Sequence, residues 1–167
     1  MALAPLALAP LALMAYKDGP PANSTGGFGE RSCHACHLDH PLNAEGGKLT
    51  VTGIPDSYAP GQPYRITVTI SRTELARGGF QISSRFADGK PAGTWGALDR
   101  RAQVAEGFAQ HTSAGSVAVS AGSNSWTLEW TAPAGEAVQF HAAANASNDD
   151  ASPLGDFIYV AEYRAAP

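Results

Sequence analysis

From Tyr64 to Ser71 the chain alternates without a break: Tyr64, Ile66, Val68 and Ile70 are apolar, and Arg65, Thr67, Thr69 and Ser71 are polar. A period of two puts these sets on opposite faces of an extended strand, a conformation that β-branched residues favour. The pattern returns where Trp126, Leu128 and Trp130 alternate with Thr127, Glu129 and Thr131, until Pro133 stops the run. Strands with one buried face belong to antiparallel sheets, so this alternation limits the chain to a layered all-β fold.

Shorter runs extend the pattern. Leu49 and Val51 alternate with Thr50 and Thr52, and Phe80, Ile82 and Phe86 form a third strand closed by the tight-turn pair Asp88-Gly89. Thr94–Leu98, Ala102–Val104, and Val117 with Val119 are weaker strands, followed by Val138, Phe140 and Ala142 and by Phe157–Tyr163. No stretch of 48–166 repeats at a helical period. About eight or nine short strands at this spacing predict a β-sandwich over 44–167. Composition agrees: only 16% of the 167 residues are charged, while there are 18 glycines and 12 prolines. A net charge of −4 offers no basic patch for nucleic acid. No apolar run reaches the roughly 18–20 residues that span a bilayer.

The first 43 residues read differently. Residues 1–15 are apolar and broken by Pro5 and Pro10, as in the hydrophobic part of a secretory signal cleaved after Ala15. No Lys or Arg precedes that run, and a disordered Ala/Pro tail is the alternative. Residues 16–32 are rich in Gly, Pro, Ser and Asn and read as an extended linker. Then comes Cys33-His34-Ala35-Cys36-His37, which holds both cysteines of the chain.

The spacing Cys-x-x-Cys-His is that of a c-type haem attachment site. Two thiols separated by two residues add to the two vinyl groups of one porphyrin, and the adjoining imidazole binds iron as the proximal ligand. This assigns Cys33, Cys36 and His37 to one covalent haem c over residues 33–43. Turn formers Asp39, His40, Pro41 and Asn43 limit any helix there to about one turn. Three other uses compete. Zinc could take Cys33, Cys36 and two of His34, His37 and His40, although a second ligand pair in a separate segment is missing. A thiol-disulfide site would need a preceding strand, and a plain disulfide would close only a tiny loop.

Several segments in order resemble a known group. They are Gly29-Glu30 with the Cys-x-x-Cys-His string, Pro41-Leu42-Asn43, Gly46-Gly47-Lys48-Leu49, Tyr58 to Tyr64 and Gly79-Phe80-Gln81, followed by His111 to Gly115. Trp126 with Trp130 to Pro133, Asn145 to Asn148 and Gly155 to Tyr159 complete the series. Over roughly residues 26–163 the chain resembles the bacterial reelin-like (reeler-type) proteins, also called choice-of-anchor V domain proteins. The resemblance implies an immunoglobulin- or fibronectin-like antiparallel sandwich and an exported protein, and it leaves the activity open. The sorting or anchoring tail common in that group is not expected here, because the chain ends four residues after Tyr163.

The sixth iron ligand is chosen by elimination. Met1 and Met14 are the only methionines and lie in the leader, and His34 and His40 flank the proximal face. His141 falls out of register with Val138, Phe140 and Ala142 and should face outward. His111, in the segment shared with the resembling group, is the candidate distal ligand. An α-amine at Tyr16, or a position left open, remains an alternative. Ligation by His37 and His111 together would close the iron to small ligands and favour electron transfer. No nucleophile triad or general base stands out, so an electron carrier is expected rather than a catalyst. Trp126 and Trp130 read as core packing before electron hopping, and Asn145, Asn148, Asp149, Asp150 and Asp156 read as a solvated turn before a calcium site.

These observations predict a periplasmic or extracellular monohaem cytochrome-like protein that exchanges electrons with a redox partner protein, with self-association open. The alternative is a non-redox secreted binding or adhesion module whose cysteine pair is structural or binds zinc.

Overall fold

The computed structural model describes residues 16–167; the apolar segment 1–15, read as a secretory signal, lies outside the described residues. Among the described residues nine strands make two antiparallel sheets. One sheet has the order β1 (Gly47–Thr52), β2 (Pro63–Arg72), β7 (Ser123–Thr131), β4 (Thr94–Ala97). The other runs β5 (Ala102–Ala105), β6 (Phe108–His111), β3 (Arg77–Arg85), β8 (Val138–Ser147), β9 (Phe157–Ala165). The chain is the all-β sandwich that its alternation predicts.

The alternating runs pair with one another. In the β2–β7 ladder Tyr64 lies opposite Trp130, Ile66 opposite Leu128 and Val68 opposite Trp126, so the bulkiest residues share the inner face. Phe80, Ile82 and Phe140 meet them from β3 and β8, all fully buried. Phe80 and Trp126 pack with ring centroids 4.5 Å apart, and Trp130 meets Phe140 edge-on at 4.8 Å. The indole N–H groups donate to Gly115 O from Trp126 and to Ala92 O from Trp130, so these two tryptophans sit in the core with their polar atoms satisfied.

The five-stranded sheet departs from simple alternation. Residues Phe80 to Ser84 of β3, and Ala142 to Ala144 of β8, are buried in succession. Successive strand residues point to opposite faces, so burial without alternation means that both faces are covered. The outer cover is the Gly/Pro-rich segment 16–32 continuing into 33–46. Gln81, fully buried, accepts from Ser24 N at 2.7 Å and donates through Nε2 to Pro21 O at 3.1 Å and Gln110 Oε1 at 2.8 Å. Glu30 forms an ion pair with Arg85, and Thr25 Oγ1 donates to its other carboxylate oxygen at 2.7 Å. Phe28 meets the ring of His141 edge-on, and Gly27 lies so close to that imidazole that a Cβ there would clash with its Cγ. His141 points away from the core, as its register predicts, into the space beneath this cover.

Two strand expectations change. Val117 and Val119 are half exposed and form no strand, since Val117 makes only an isolated bridge to Arg77. Phe108–His111 forms β6 instead, with all four residues buried. Its polar positions, Gln110 and His111, are buried because the outer cover lies over them, and a two-period reading of apolar residues does not register such a strand.

Candidate functional site

The Cys-x-x-Cys-His segment makes a single turn of 3-10 helix, Cys33–Ala35, whose N-cap Ser32 accepts from His34 N through its side chain. Backbone bonds from Cys36 N and His37 N to Cys33 O, both 3.2 Å, tighten the turn. Downstream anchors hold the segment to the sandwich. Asp39 accepts from Gly155 N at 2.8 Å, and His40 stacks on Phe157 with centroids 3.8 Å apart. Asn43 donates its N–H to Ile158 O at 2.9 Å and accepts from Val160 N at 2.8 Å, which occupies part of the free edge of β9. His34 is engaged too, with Nε2 2.9 Å from His40 O.

The turn, the first residues of the cover, the ends of β3, β6 and β8, and the loop 149–156 enclose a cavity of about 320 Å³. Cys33, Cys36, His37 and His111 all border it, with Phe80 and Asp156. The four residues singled out from sequence are thus brought to one place, with His111 arriving from β6. The sequence places Asp156 and Asn145 in a solvated turn, yet Asp156 is 2% exposed and both residues face His37. Their proximity to His37 had no signal in local sequence, because it depends on β8 and the start of β9 meeting the Cys-x-x-Cys-His turn.

The groups differ in their chemistry. Both thiols are free. Cys33 as a whole is half-buried, but its sulfur faces inward and burial pushes the thiol up to about 12. A thiol so hard to ionise is the opposite of a thiol-disulfide exchange site, which depends on a stabilised thiolate. His37 Nδ1 lies 2.9 Å from Asp156 Oδ2, a contact close in distance but bent in angle, so Nδ1 lacks a well-aligned partner. Nε2 of His37 has Asn145 Nδ2 at 3.5 Å. Asn145 Nδ2 also donates to Asp156 Oδ2 at 3.0 Å, and Asn148 N donates to Oδ1 at 3.2 Å. Burial pushes the Asp156 carboxyl upward, but the close His37 imidazole and the bonds from Asn145 and Asn148 outweigh it and hold the carboxyl below its ordinary value.

His111 is 7% exposed and caps the sheet where β6 leaves β3. Phe80 N donates to its Nδ1 at 3.1 Å, and its Nε2 lies 3.2 Å from Tyr16 O. Burial lowers its pKa, against smaller opposing effects of Phe80, Tyr16 and Asp18, so the ring is held neutral. In this arrangement Nε2 carries the proton and donates to Tyr16 O. Phe80 O, 3.2 Å from Nδ1, offers the other tautomer a place for its proton and would free Nε2. The contact with Tyr16 also puts that residue, the site of the alternative α-amine ligand, at the same cavity.

The donor set fits a covalent haem in its residues: two free thiols at the attachment spacing, an imidazole beside a buried carboxylate, and a second imidazole bordering the same cavity. Among the described residues no three His, Cys, Asp or Glu side chains gather as a metal-binding group. In the acidic loop considered for calcium, Asp149 is paired with Arg77 at 2.7 Å and Asp150 accepts from Asn148 and Ser152 within the turn. A larger, shallow depression of about 620 Å³ beside Gly46–Gly47 and Ser71–Thr73 has Arg72 as its one charged side chain. That guanidinium already engages Glu45 O, Tyr159 and Glu74.

No family model and no curated protein matches the chain. Solved structures do. The Reelin-N domain of F-spondin superposes with a TM-score of 0.55 at 20% identity, over 80% of this chain and 94% of that one. The human F-spondin reeler domain gives 0.49 at 20% identity, over 75% and 92%. A conjugative transposon lipoprotein from Bacteroides eggerthii gives 0.45 at 12% identity, over 73% and 98%. At these identities the first match supports the reelin-like fold and carries no function. No helix among the described residues is long and apolar enough to cross a membrane.

Proposed function

We propose that this domain is an exported carrier of one covalent haem c that exchanges electrons with a redox partner protein outside the cytoplasm. The observation that carries the reading is the convergence on one cavity of Cys33, Cys36, His37 and, from a strand far along the chain, His111. Cys33 and Cys36 would hold the group by thioethers, with His37 as proximal and His111 as distal ligand. Bound there, the group supplies a one-electron couple. The chain's own residues fix the two imidazoles, and the 16–32 cover limits the entry of water.

Freeing Nε2 of His111 requires its proton to pass to Nδ1 and the Tyr16 carbonyl to yield. An alanine at position 111 tests this assignment. In protein produced with a haem-attachment system, His111→Ala should lose the low-spin visible spectrum while keeping the covalent haem. An unchanged low-spin spectrum would assign the position to another group, the α-amine at Tyr16 being the nearest considered.

A second reading has its own support. The fold is that of reeler domains, both thiols are free, and His111 is satisfied by Phe80 and Tyr16 without any ligand. These favour a non-redox binding module with a structural Cys-x-x-Cys-His turn. Wild-type protein exported alongside the attachment system and purified without covalent haem would establish that reading over the first.

A further inference from the structure

We propose that Asp156, held by Asn145, is the positioning group for the His37 imidazole and biases the iron couple toward the ferric state. The inference rests on the haem reading above and concerns residues that neither the Cys-x-x-Cys-His motif nor the fold assigns a role.

An isolated carboxylate that is 2% exposed is costly unless it is bonded and paired. Asp156 has Asn145 Nδ2 at 3.0 Å and Asn148 N at 3.2 Å, and its remaining neighbour is His37 Nδ1 at 2.9 Å. The carboxylate therefore faces the nitrogen of His37 that would not bind iron. His37 Nδ1 is itself buried without a well-aligned partner, and the carboxylate is the acceptor standing next to it. A ligating imidazole whose second N–H meets a carboxylate is fixed in tautomer and orientation and becomes a more basic ligand. A buried negative charge near the iron acts in the same direction, since it opposes the addition of an electron. The exchange moves one electron between the partner protein and the iron, and the Nδ1 proton stays on His37 throughout.

Asn145 completes the device. Its Nδ2 donates to Asp156 Oδ2 at 3.0 Å and so holds the carboxylate on the imidazole's Nδ1 side; its looser 3.5 Å contact with His37 Nε2 would have to yield when that nitrogen binds iron. Both groups come from the sandwich, and the Cys-x-x-Cys-His turn contributes only the imidazole. The sheet would thus tune the ligand that the turn carries.

The experiment is a redox titration of wild type and Asp156→Asn, each first checked for haem that survives denaturation. Asparagine keeps the shape and removes the charge. The expected result is at least a tenfold shift of the reduction equilibrium toward ferrous iron, about 59 mV for one electron. A midpoint equal to wild type with haem fully attached would overturn the proposal. If Asp156→Asn does not accumulate, proton NMR of ferrous wild type decides. A slowly exchanging, far-downfield His37 Nδ1 proton supports the pairing, and a rapidly exchanging one refutes it. Wild type without covalent haem would remove the haem reading itself, which the denaturation check separates from a failure of the Asp156 role.

Discussion

Replacing Gln81 by Leu tests whether the 16–32 segment is an integral layer of the domain. Gln81 is fully buried on the outer face of the five-stranded sheet and makes three hydrogen bonds: to Ser24 N, Pro21 O and Gln110 Oε1. Leucine has nearly the same reach and none of the polar atoms. Each lost bond costs about 1 kcal/mol net, and a group left buried and unpaired costs roughly 1–3 kcal/mol. The backbone groups of Pro21 and Ser24 can recover water only if the cover lifts, so the loss should settle near 3 kcal/mol. For a slope of roughly 2 kcal/mol/M, that lowers the urea midpoint by about 1.5 M. Hydrogen exchange should speed up selectively at residues 16–24 and stay slow in β2 and β7, whose ladder the substitution does not touch. A midpoint within about 0.3 M of wild type, with residues 16–24 equally protected, would refute this account of the cover.

Other perturbations give separate checks. Gly79→Ala places a Cβ 2.7 Å from His111 Cε1, on a ring already held by Phe80 and Tyr16. Overpacking of this kind should cost about 1–3 kcal/mol in chemical denaturation, and a stability equal to wild type would show that the ring yields freely. Glu30→Ala strands the Arg85 guanidinium, 12% exposed, and should cost roughly 3 kcal/mol by the same assay, whereas a loss under about 1 kcal/mol would mean that water replaces the partner. The haem-free protein should also weaken in acid. Burial lowers the pKa of His111, so the unfolded chain takes up the proton first. The stability from His111 is complete above about 6.5 and is lost as pH falls through its lower folded value. A urea midpoint that falls between pH 7.5 and 5, and falls less in His111→Gln, is the expected result; equal slopes would contradict it.

The sandwich was legible because its inner face is built from strict alternation. Tyr64 to Ser71 and Trp126 to Thr131 each state their own inward face, and they prove to be paired neighbours. What escaped was the second covered face. Gln81, Gln110 and His111 are polar, and in a single-sided sheet they would face water. Only the folding of residues 16–32 over them makes them interior. The same holds at the candidate site. The Cys-x-x-Cys-His spacing is local and legible, and His111, chosen by elimination and resemblance rather than from a strand pattern, lines the same cavity. Asp156 and Asn145 looked like turn residues because their proximity to His37 is created by the meeting of β8, β9 and the turn.

The central claim is that Cys33 and Cys36 hold a haem at this cavity, and intact-mass analysis of denatured protein tests it most directly. After export alongside a haem-attachment system, the account predicts a mass increase of one haem per chain, abolished in a Cys33→Ser, Cys36→Ser double variant that still folds. A wild-type chain at its bare polypeptide mass, with both thiols open to alkylation once unfolded, would contradict it.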